Sequence, residues 1–355
     1  MTKPSKGKIV IALSGGVDSS VSGALLLEEG WDVVGVTLQL QGASTDGAEQ
    51  AEAVSRQLGI KHLVLNHIDD FERMVLRPAW DEYASGRTPC PCMRCNDRIK
   101  WGLLLDWALE NGYSALATGH YAIITSEGGQ AKLLRGKDKN KDQSYFLAGL
   151  SQECLSNTVF PLGNFDKQRV RRKAAELGLV CAERRESQDT CFMMPGLSFP
   201  ESLHMRFGNE SEQKEGYIID CEGRKLAQHN GIHNFTIGQR RGVKVGTGAK
   251  AWVCRVDTAT GNVYLTNAEE DLLSEEITVS DLSWTTMEPP SIPMECEVQV
   301  RYRAVPVPAT LADISNGRGR LILRQPVRSA APGQAAVFYN GDRVLGRGWI
   351  CSASI

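Results

Sequence analysis

Residues 8–20 read KIVIALSGGVDSS. The apolar run from 8 to 13 passes directly into Ser14-Gly15-Gly16, and residues 17–29 are rich in Ala and Leu and end at Gly30. This is the grammar of a buried strand, a glycine turn and a helix. Working outward, residues 31–40 (WDVVGVTLQL), 60–66 (IKHLVLN) and 113–118 (YSALAT) are further short apolar runs. Strands buried on both faces of a parallel sheet have that composition. Helical stretches separate them. Residues 45–58 can start on Thr45 and place Ala48, Ala51, Val54 and Leu58 on one face. Residues 96–110 and 166–177 begin at Asn96 and Asp166, both good caps. The first half is therefore expected to be an α/β, doubly wound parallel-sheet domain.

Near residues 195–216 the periodicity fades, and beyond it the pattern is turn-separated alternation. Residues 297–303 (EVQVRYR) alternate, and Asn340-Gly341 within 336–344 suggests a tight hairpin turn. The expected organisation is an α/β domain over 1–205, a small central β-rich domain over 206–272 and a C-terminal β-barrel over 273–355.

The 355 residues are 42% hydrophobic and 23% charged, which excludes a disordered or fibrous chain. No stretch approaches the roughly 18 apolar residues of a membrane span, and the start MTKPSKGK lacks an apolar leader. A cytoplasmic protein without membrane association is expected. The net charge of -2 gives no global field toward nucleic acid. Ten cysteines in a long chain without a secretory signal point to reduced, catalytic or metal-binding thiols.

The turn after the first strand is placed where an anion binds. Gly15 and Gly16 let backbone approach phosphate oxygens, N–H groups and the helix dipole favour negative charge, and serine hydroxyls add donors. Asp18 could hold Mg²⁺ or cap the helix. A Walker loop would need Gly-Lys-Ser/Thr and a dinucleotide fingerprint Gly-x-Gly-x-x-Gly, and neither is present.

Cys90, Cys92 and Cys95 lie in residues 88–96, TPCPCMRCN. With Asn96 as cap, Cys95 would sit at a helix N-terminus between Arg94 and Arg98, where the dipole and the charges lower a thiol pKa. A reactive thiolate, a zinc half-site and buried structural thiols are the readings of this loop; His229 and His233 have one zinc-like spacing. Cys191 alone reads as a buried thiol.

SGGVDSS (14–20) resembles the PP-loop of ATP pyrophosphatases, which cleave between the α- and β-phosphates and adenylate a carbonyl oxygen. With TPCPCMRCNDRIKW (88–101), TGHY (118–121), KDQSYFL (141–147), ESQDTCF (186–192), RYR (301–303) and PGQAAVFY (332–339), the chain is similar to the tRNA-specific 2-thiouridylases over nearly its whole length. The resemblance implies that ATP adenylates O2 of the wobble uridine (U34) of tRNA, that sulfur replaces it at C2, and that AMP and pyrophosphate leave. It makes Cys95 the nucleophile and Cys191 the persulfide carrier. Attack by Cys95 on the Cys191 persulfide releases sulfide and leaves a disulfide to be reduced. ATP contacts fall on Ala12, Leu13, Ser14, Gly15, Gly16, Val17, Asp18 and Ser19, on Leu38, and on Gly119. Cys90, Pro91 and Cys92 would face the target base; His120, Lys141, Asp142, Gln143, Arg301, Tyr302 and Gln334 would touch or approach tRNA. A sulfur-donor protein or sulfide source is the further partner implied.

One departure matters. Many family members read N-P-D-x-x-C where this chain has Cys90-Pro91-Cys92-x-x-Cys95. Cys92, Cys95 and Cys191 could then hold a [4Fe–4S] cluster with one iron open to sulfide, a competing sulfur route.

Local charge is asymmetric. Residues 166–173 carry five bases and one acid, residues 316–328 four bases and no acid, and residues 267–290 seven acids and no base. The basic runs, and the tip 238–242 (GQRRG), are read as solvated faces or as RNA contacts. Alternation along 297–303 would point Val298, Val300 and Tyr302 inward and Arg301 and Arg303 outward.

Overall fold

The structure is a computed structural model that describes residues 6–42, 46–184, 193–194, 196–210, 214–243, 245 and 250–354. Its first domain is a five-stranded parallel sheet of β1 (Lys8–Ala12), β2 (Asp32–Gln39), β3 (Lys61–Asn66), β4 (Ala115–Ala117) and β7 (Thr158–Val159) in the order β3-β2-β1-β4-β7. The four apolar runs of the sequence thus become neighbouring strands, as expected. β1 is buried on both faces: Ile9 and Ile11 pack with Leu26 and Ala51, while Val10 packs with Trp101, Leu104 and Leu116. The order reverses between β1 and β4, and ligands of such sheets bind at the strand C-termini beside that reversal.

Helix α1 (Val17–Glu28) follows β1 and α2 (Asp46–Leu58) follows β2. Thr45 lies outside the described residues. The expected helix from Asn96 instead begins at Pro91 and runs unbroken through Pro91–Cys95, a π-helical stretch Asn96–Leu104 and Leu105–Glu110. Proline is preorganised for a first helical position, whereas the Asn96 side chain is used elsewhere. Asp166 caps Lys167–Glu176 by accepting from Arg169 N. Where the periodicity fades, the structure has a helix, Phe199–Phe207, opened by a capping box of Ser198 and Glu201. Its signal was the S-x-x-E spacing.

The hairpin β5 (Ala122–Glu127) and β6 (Gln130–Arg135) leaves the first domain and pairs with a strand of the last. The middle sheet joins β8 (Gly216–Ile219), β9 (Lys225–His229), β10 (Trp252–Val256) and β11 (Val263–Thr266) around Ile218, Phe235, Val253 and Leu265. The last domain is a closed barrel of β12 (Leu273–Trp284), β13 (Met294–Gln299), β14 (Val307–Ser315), β15 (Arg318–Arg328), β16 (Ala335–Asn340) and β17 (Arg343–Ser354), sealed by β12 pairing with β17. The β16–β17 hairpin turns at Gly341-Asp342, one residue later than Asn340-Gly341.

Strand β16 ties barrel to first domain. Ala336 and Phe338 point into the barrel core, while Ala335, Val337 and Tyr339 join Trp101, Leu133 and Tyr145 outside it. Two faces of one strand thus serve two cores. Among the described residues no helix is long and apolar enough to cross a membrane.

Candidate active site

In the turn after β1, Gly16 N donates to Ser14 Oγ at 3.4 Å. Gly16 is the N-cap of α1 and no side chain caps the helix there. Gly15 has φ +71°, and a Cβ on it would stand 2.7 Å from Gln50 Cβ. The serines brace the turn: Ser14 N donates to Ser19 Oγ at 3.2 Å, Ser19 Oγ to Gly16 O at 3.1 Å and Ser20 Oγ to Gly16 O at 2.8 Å. Gly119, just beyond β4, packs on this turn so closely that a Cβ would lie 2.8 Å from Ser19 N. The cradle therefore sits at the sheet's reversal point, at the positive end of the α1 dipole. Leu13 continues β1 by donating N–H to Val36 O at 2.8 Å; its side chain is buried, as is that of Val17. Ala12 and Leu38 are half-buried and pack on the sheet core, and Leu38 also touches the group around Cys95.

Asp18 does not cap α1. Its carboxylate accepts from Lys167 Nζ at 2.7 and 2.8 Å and from Tyr121 OH at 2.8 Å. Both oxygens are engaged, so any Mg²⁺ at Asp18 would share its carboxylate with Lys167 and Tyr121. Lys167 was missed as a site residue because its base was one of five in a run that reads as a surface.

Cys90 is the N-cap of the helical run, and Pro91, Cys92 and Cys95 lie within its first five positions. Cys95 is thus a full turn inside the helix, and the dipole argument made for it does not apply. Cys90 and Cys95 are buried in different apolar groups, Cys90 with Met93 and Tyr145 and Cys95 with Phe71, Trp80 and Ile99, whereas Cys92 is half-exposed. Burial, and then the neighbouring Cys92 thiol, push Cys90 up to about 12. Cys191 lies outside the described residues.

His120 follows the cradle glycine. Its Nδ1 lies 2.7 Å from Thr118 Oγ1 and its ring packs on Trp101 and Phe160. Burial, then the Lys100 charge, hold it well below the usual imidazole range, so it is neutral at pH 7. Lys100 donates to Asn96 Oδ1, and Asn96 donates to Phe146 O.

The residues expected at tRNA are partly committed inside the protein. Asp142 accepts from Gly136 N, Ser144 N and Ser144 Oγ and pairs with Arg135. Gln143 Oε1 accepts from Tyr121 N. Lys141 is half-buried beside them. β13 stops at Gln299, so Tyr302 lies in the following turn, not on a strand face. Val298 and Val300 are buried as expected, Arg301 and Arg303 are exposed, and the Tyr302 ring lies 4.3 Å from that of Phe146. Gln334 Nε2 donates to Thr88 O and Pro89 O at 3.1 and 2.9 Å.

The basic runs are partly neutralised. Arg320 pairs with Glu276 and Asp313, Arg324 with Glu295, and Arg328 with Glu269; Lys167 and Lys173 pair with Asp18 and Glu28. The acids of 267–290 are therefore partly the counter-charges of 316–328. Arg240 and Arg241 at the 238–242 tip are exposed. His229 spends both ring nitrogens on backbone, at Gly261 O and Gly231 N, which removes it as a zinc ligand.

Comparison with known proteins gives three matches in chain order: a tRNA methyl transferase HUP domain over residues 7–195, a tRNA methyl transferase PRC-barrel domain over 207–267, and an aminomethyltransferase beta-barrel domain over 274–350. The tRNA-specific 2-thiouridylase MnmA of Synechococcus sp. (strain JA-3-3Ab) is 44% identical over 352 residues, covering 97% of this chain and 94% of that protein. The MnmA of Geobacter metallireducens is 41% identical over 372 residues, 99% of each chain, and that of Heliobacterium modesticaldum 41% over 359 residues, 97% and 92%. With identity and coverage at that level, the chain belongs to the tRNA-specific 2-thiouridylase family.

Proposed function

We propose that the chain uses ATP to adenylate O2 of the wobble uridine (U34) of tRNA and replaces that oxygen with sulfur at C2, releasing AMP and pyrophosphate. The observation that carries this reading is the cradle of Ser14–Ser20, with an uncapped helix end, a left-handed Gly15 and Gly119 pressed on Ser19 N. Open N–H groups at a helix start bind the phosphates. Residues 12–19, Leu38 and Gly119 form the nucleotide side of the site, and Cys90, Pro91 and Cys92 face the base. A wobble base lies in a single-stranded loop, so it can be splayed into a pocket at modest unstacking cost. His120, Lys141, Asp142, Gln143, Arg301, Tyr302 and Gln334 form the tRNA side, Asp142 and Gln143 by shaping the loop that presents Lys141.

Sulfur arrives as a persulfide on Cys191. The Cys95 thiolate attacks the inner sulfur, forms the Cys95–Cys191 disulfide and expels hydrosulfide, which adds at C2 as AMP leaves; an external thiol reduces the disulfide. The alternative route rests on Cys92 and Cys95, spaced i, i+3 on one helical face as two ligands of a [4Fe–4S] cluster with Cys191 as the third. A cluster there would supply an open iron for sulfide. Among the described residues no group of three metal-ligating side chains lies together. ATP would enter with Mg²⁺ carried on its phosphates, since Asp18 is held by Lys167. The working assignment of domains is 1–205, 206–272 and 273–355, and the working location is the cytoplasm, where tRNA and a sulfur-donor protein meet.

The test is an anaerobic reaction with ATP, sulfide and unmodified tRNA, digested to nucleosides for mass spectrometry with AMP followed in parallel. 2-Thiouridine matched by AMP is expected. AMP without tRNA would favour a small-molecule ligase, and neither product an RNA-binding redox sensor. Iron analysis of anaerobically purified protein separates the two sulfur routes.

A further inference from the structure

The chain in front of the cysteines is held by the barrel. Besides the two bonds from Gln334 Nε2 to Thr88 O and Pro89 O, Thr88 N donates to Pro332 O at 2.7 Å and Arg87 Nη2 to Ile350 O at 3.3 Å. Gly333 has φ +91°, and a Cβ on it would fall 2.6 Å from Glu82 Oε2 and 2.7 Å from Thr88 O. The barrel loop is therefore in backbone contact with the segment that leads into Cys90.

A second set of contacts grips the first helical turns. Arg94 pairs with Glu82, and its guanidinium lies 5.2 Å over the Trp349 ring. Arg347 lies 4.4 Å from the same ring and donates to Asp97 Oδ2 at 2.8 Å, with both side chains nearly buried. Arg347 also reaches Asp281 O on β12, so it links two barrel strands to the cysteine helix. A buried ion pair is a poor source of net stability, because desolvation offsets the attraction, yet it is sharply directional.

We propose that Gln334 and Arg347 are positioning residues for sulfur delivery: the barrel fixes the approach and tilt of the helix that carries Cys92 and Cys95. The inference rests on the thiouridylase reading above. The nucleotide cradle after β1 has no part in these contacts. Loss of the grip therefore leaves adenylation running while sulfur fails to reach C2.

The experiment compares wild type with Gln334→Leu, Arg347→Gln, and Arg347→Gln combined with Asp97→Asn. It measures 2-thiouridine per AMP, the Kd for unmodified tRNA, and N-ethylmaleimide labelling of Cys90 and Cys95 by peptide mass spectrometry. Gln334→Leu and Arg347→Gln are each expected to lower 2-thiouridine per AMP tenfold or more and to raise labelling of the buried thiols at least tenfold, and Arg347→Gln, which lies outside the tRNA side, to keep tRNA Kd within twofold. The double variant replaces the ion pair with two neutral amides that keep a hydrogen bond and leave no lone buried carboxylate, so it is expected to recover yield relative to Arg347→Gln alone. An unchanged product ratio and unchanged labelling in Arg347→Gln overturn the proposal, as does a parallel fall of both products with tRNA affinity in that variant, which would make Arg347 part of the RNA-binding surface. Absence of both products in wild type would sink the thiouridylase reading, and labelling would still decide the grip.

Discussion

Replacing Gly119 with Ala tests the cradle directly. The added Cβ would stand 2.8 Å from Ser19 N, 2.9 Å from Asp18 C and 3.2 Å from Asp18 Cβ. Ordinary contact starts near 3.4 Å, so β4 and the start of α1 must part by about half an ångström. The neighbours are main chain and cannot swing away, and Asp18 is tethered to Lys167 and Tyr121. Overpacking of this kind costs about 1–3 kcal/mol. If the strain falls on the nucleotide-bound state, ATP binds about fivefold to a hundredfold more weakly, at roughly 1.4 kcal/mol per factor of ten. Calorimetric titration with α,β-methylene ATP, which resists cleavage at the scissile bond, measures this with thermal unfolding alongside. Gly47→Ala is the control, because a Cβ there meets only Ser14 O at 3.7 Å and suits the helix α2. It should leave affinity within twofold. A Gly119→Ala protein with wild-type ATP affinity and an unchanged melting midpoint would refute the packing argument.

Lys167→Met removes the cation that holds Asp18 and leaves the carboxylate facing incoming phosphates, so ATP affinity should fall tenfold or more; affinity within twofold of wild type would show that Lys167 only braces the fold. Cys95→Ser should abolish 2-thiouridine while sparing ATP binding, and retained thiolation would remove Cys95 from the chemistry. Cys90, buried and pushed up to about 12, should resist iodoacetamide at pH 8 while half-exposed Cys92 reacts, and equal labelling rates would contradict its burial. His233 is buried beside His204 at the contact between the first domain and the middle sheet, and burial lowers it to about 4. The unfolded chain binds its proton near 6.5, so stability is whole above pH 6.5 and is lost as pH falls toward 4. His233→Phe should flatten that decline in thermal melts, and an unaltered slope would assign it to other groups.

Much of the architecture was legible because it rests on local pattern. Residues 8–13, 31–40 and 113–118 are short apolar runs of the kind a covered parallel sheet needs, whereas 60–66, read in the same way, became the edge strand β3 with Val64 exposed. Two glycines between a strand and a helix locate an anion cradle, since little else uses an uncapped helix start there. The barrel and its last hairpin followed from alternation. The helix Phe199–Phe207 was missed because its apolar face is short, although Ser198 and Glu201 announced its start. The start at Pro91 was misplaced because Asn96 is an equally good cap; its side chain bonds Phe146 O, 50 residues away, which no local rule contains.

The sequence by itself determined the first four strands of the parallel sheet, the cradle and the family, because periodicity, glycine placement and motif order are properties of neighbouring residues. Only the tertiary structure decided the partners of the charges. Four arginines in 316–328 read as a basic run, and three of them pair with acids: Glu276 on the neighbouring strand β12, Glu295 on β13 two strands away, and Glu269 ahead of the barrel. Lys167 reaches Asp18 across 149 residues, and Arg347 reaches Asp97 across 250. Such pairings depend on which surfaces the packed elements bring together: Val17, Val21 and Val170 share one core beside the first pair, and Tyr339, Trp349 and Trp101 share another beside the second.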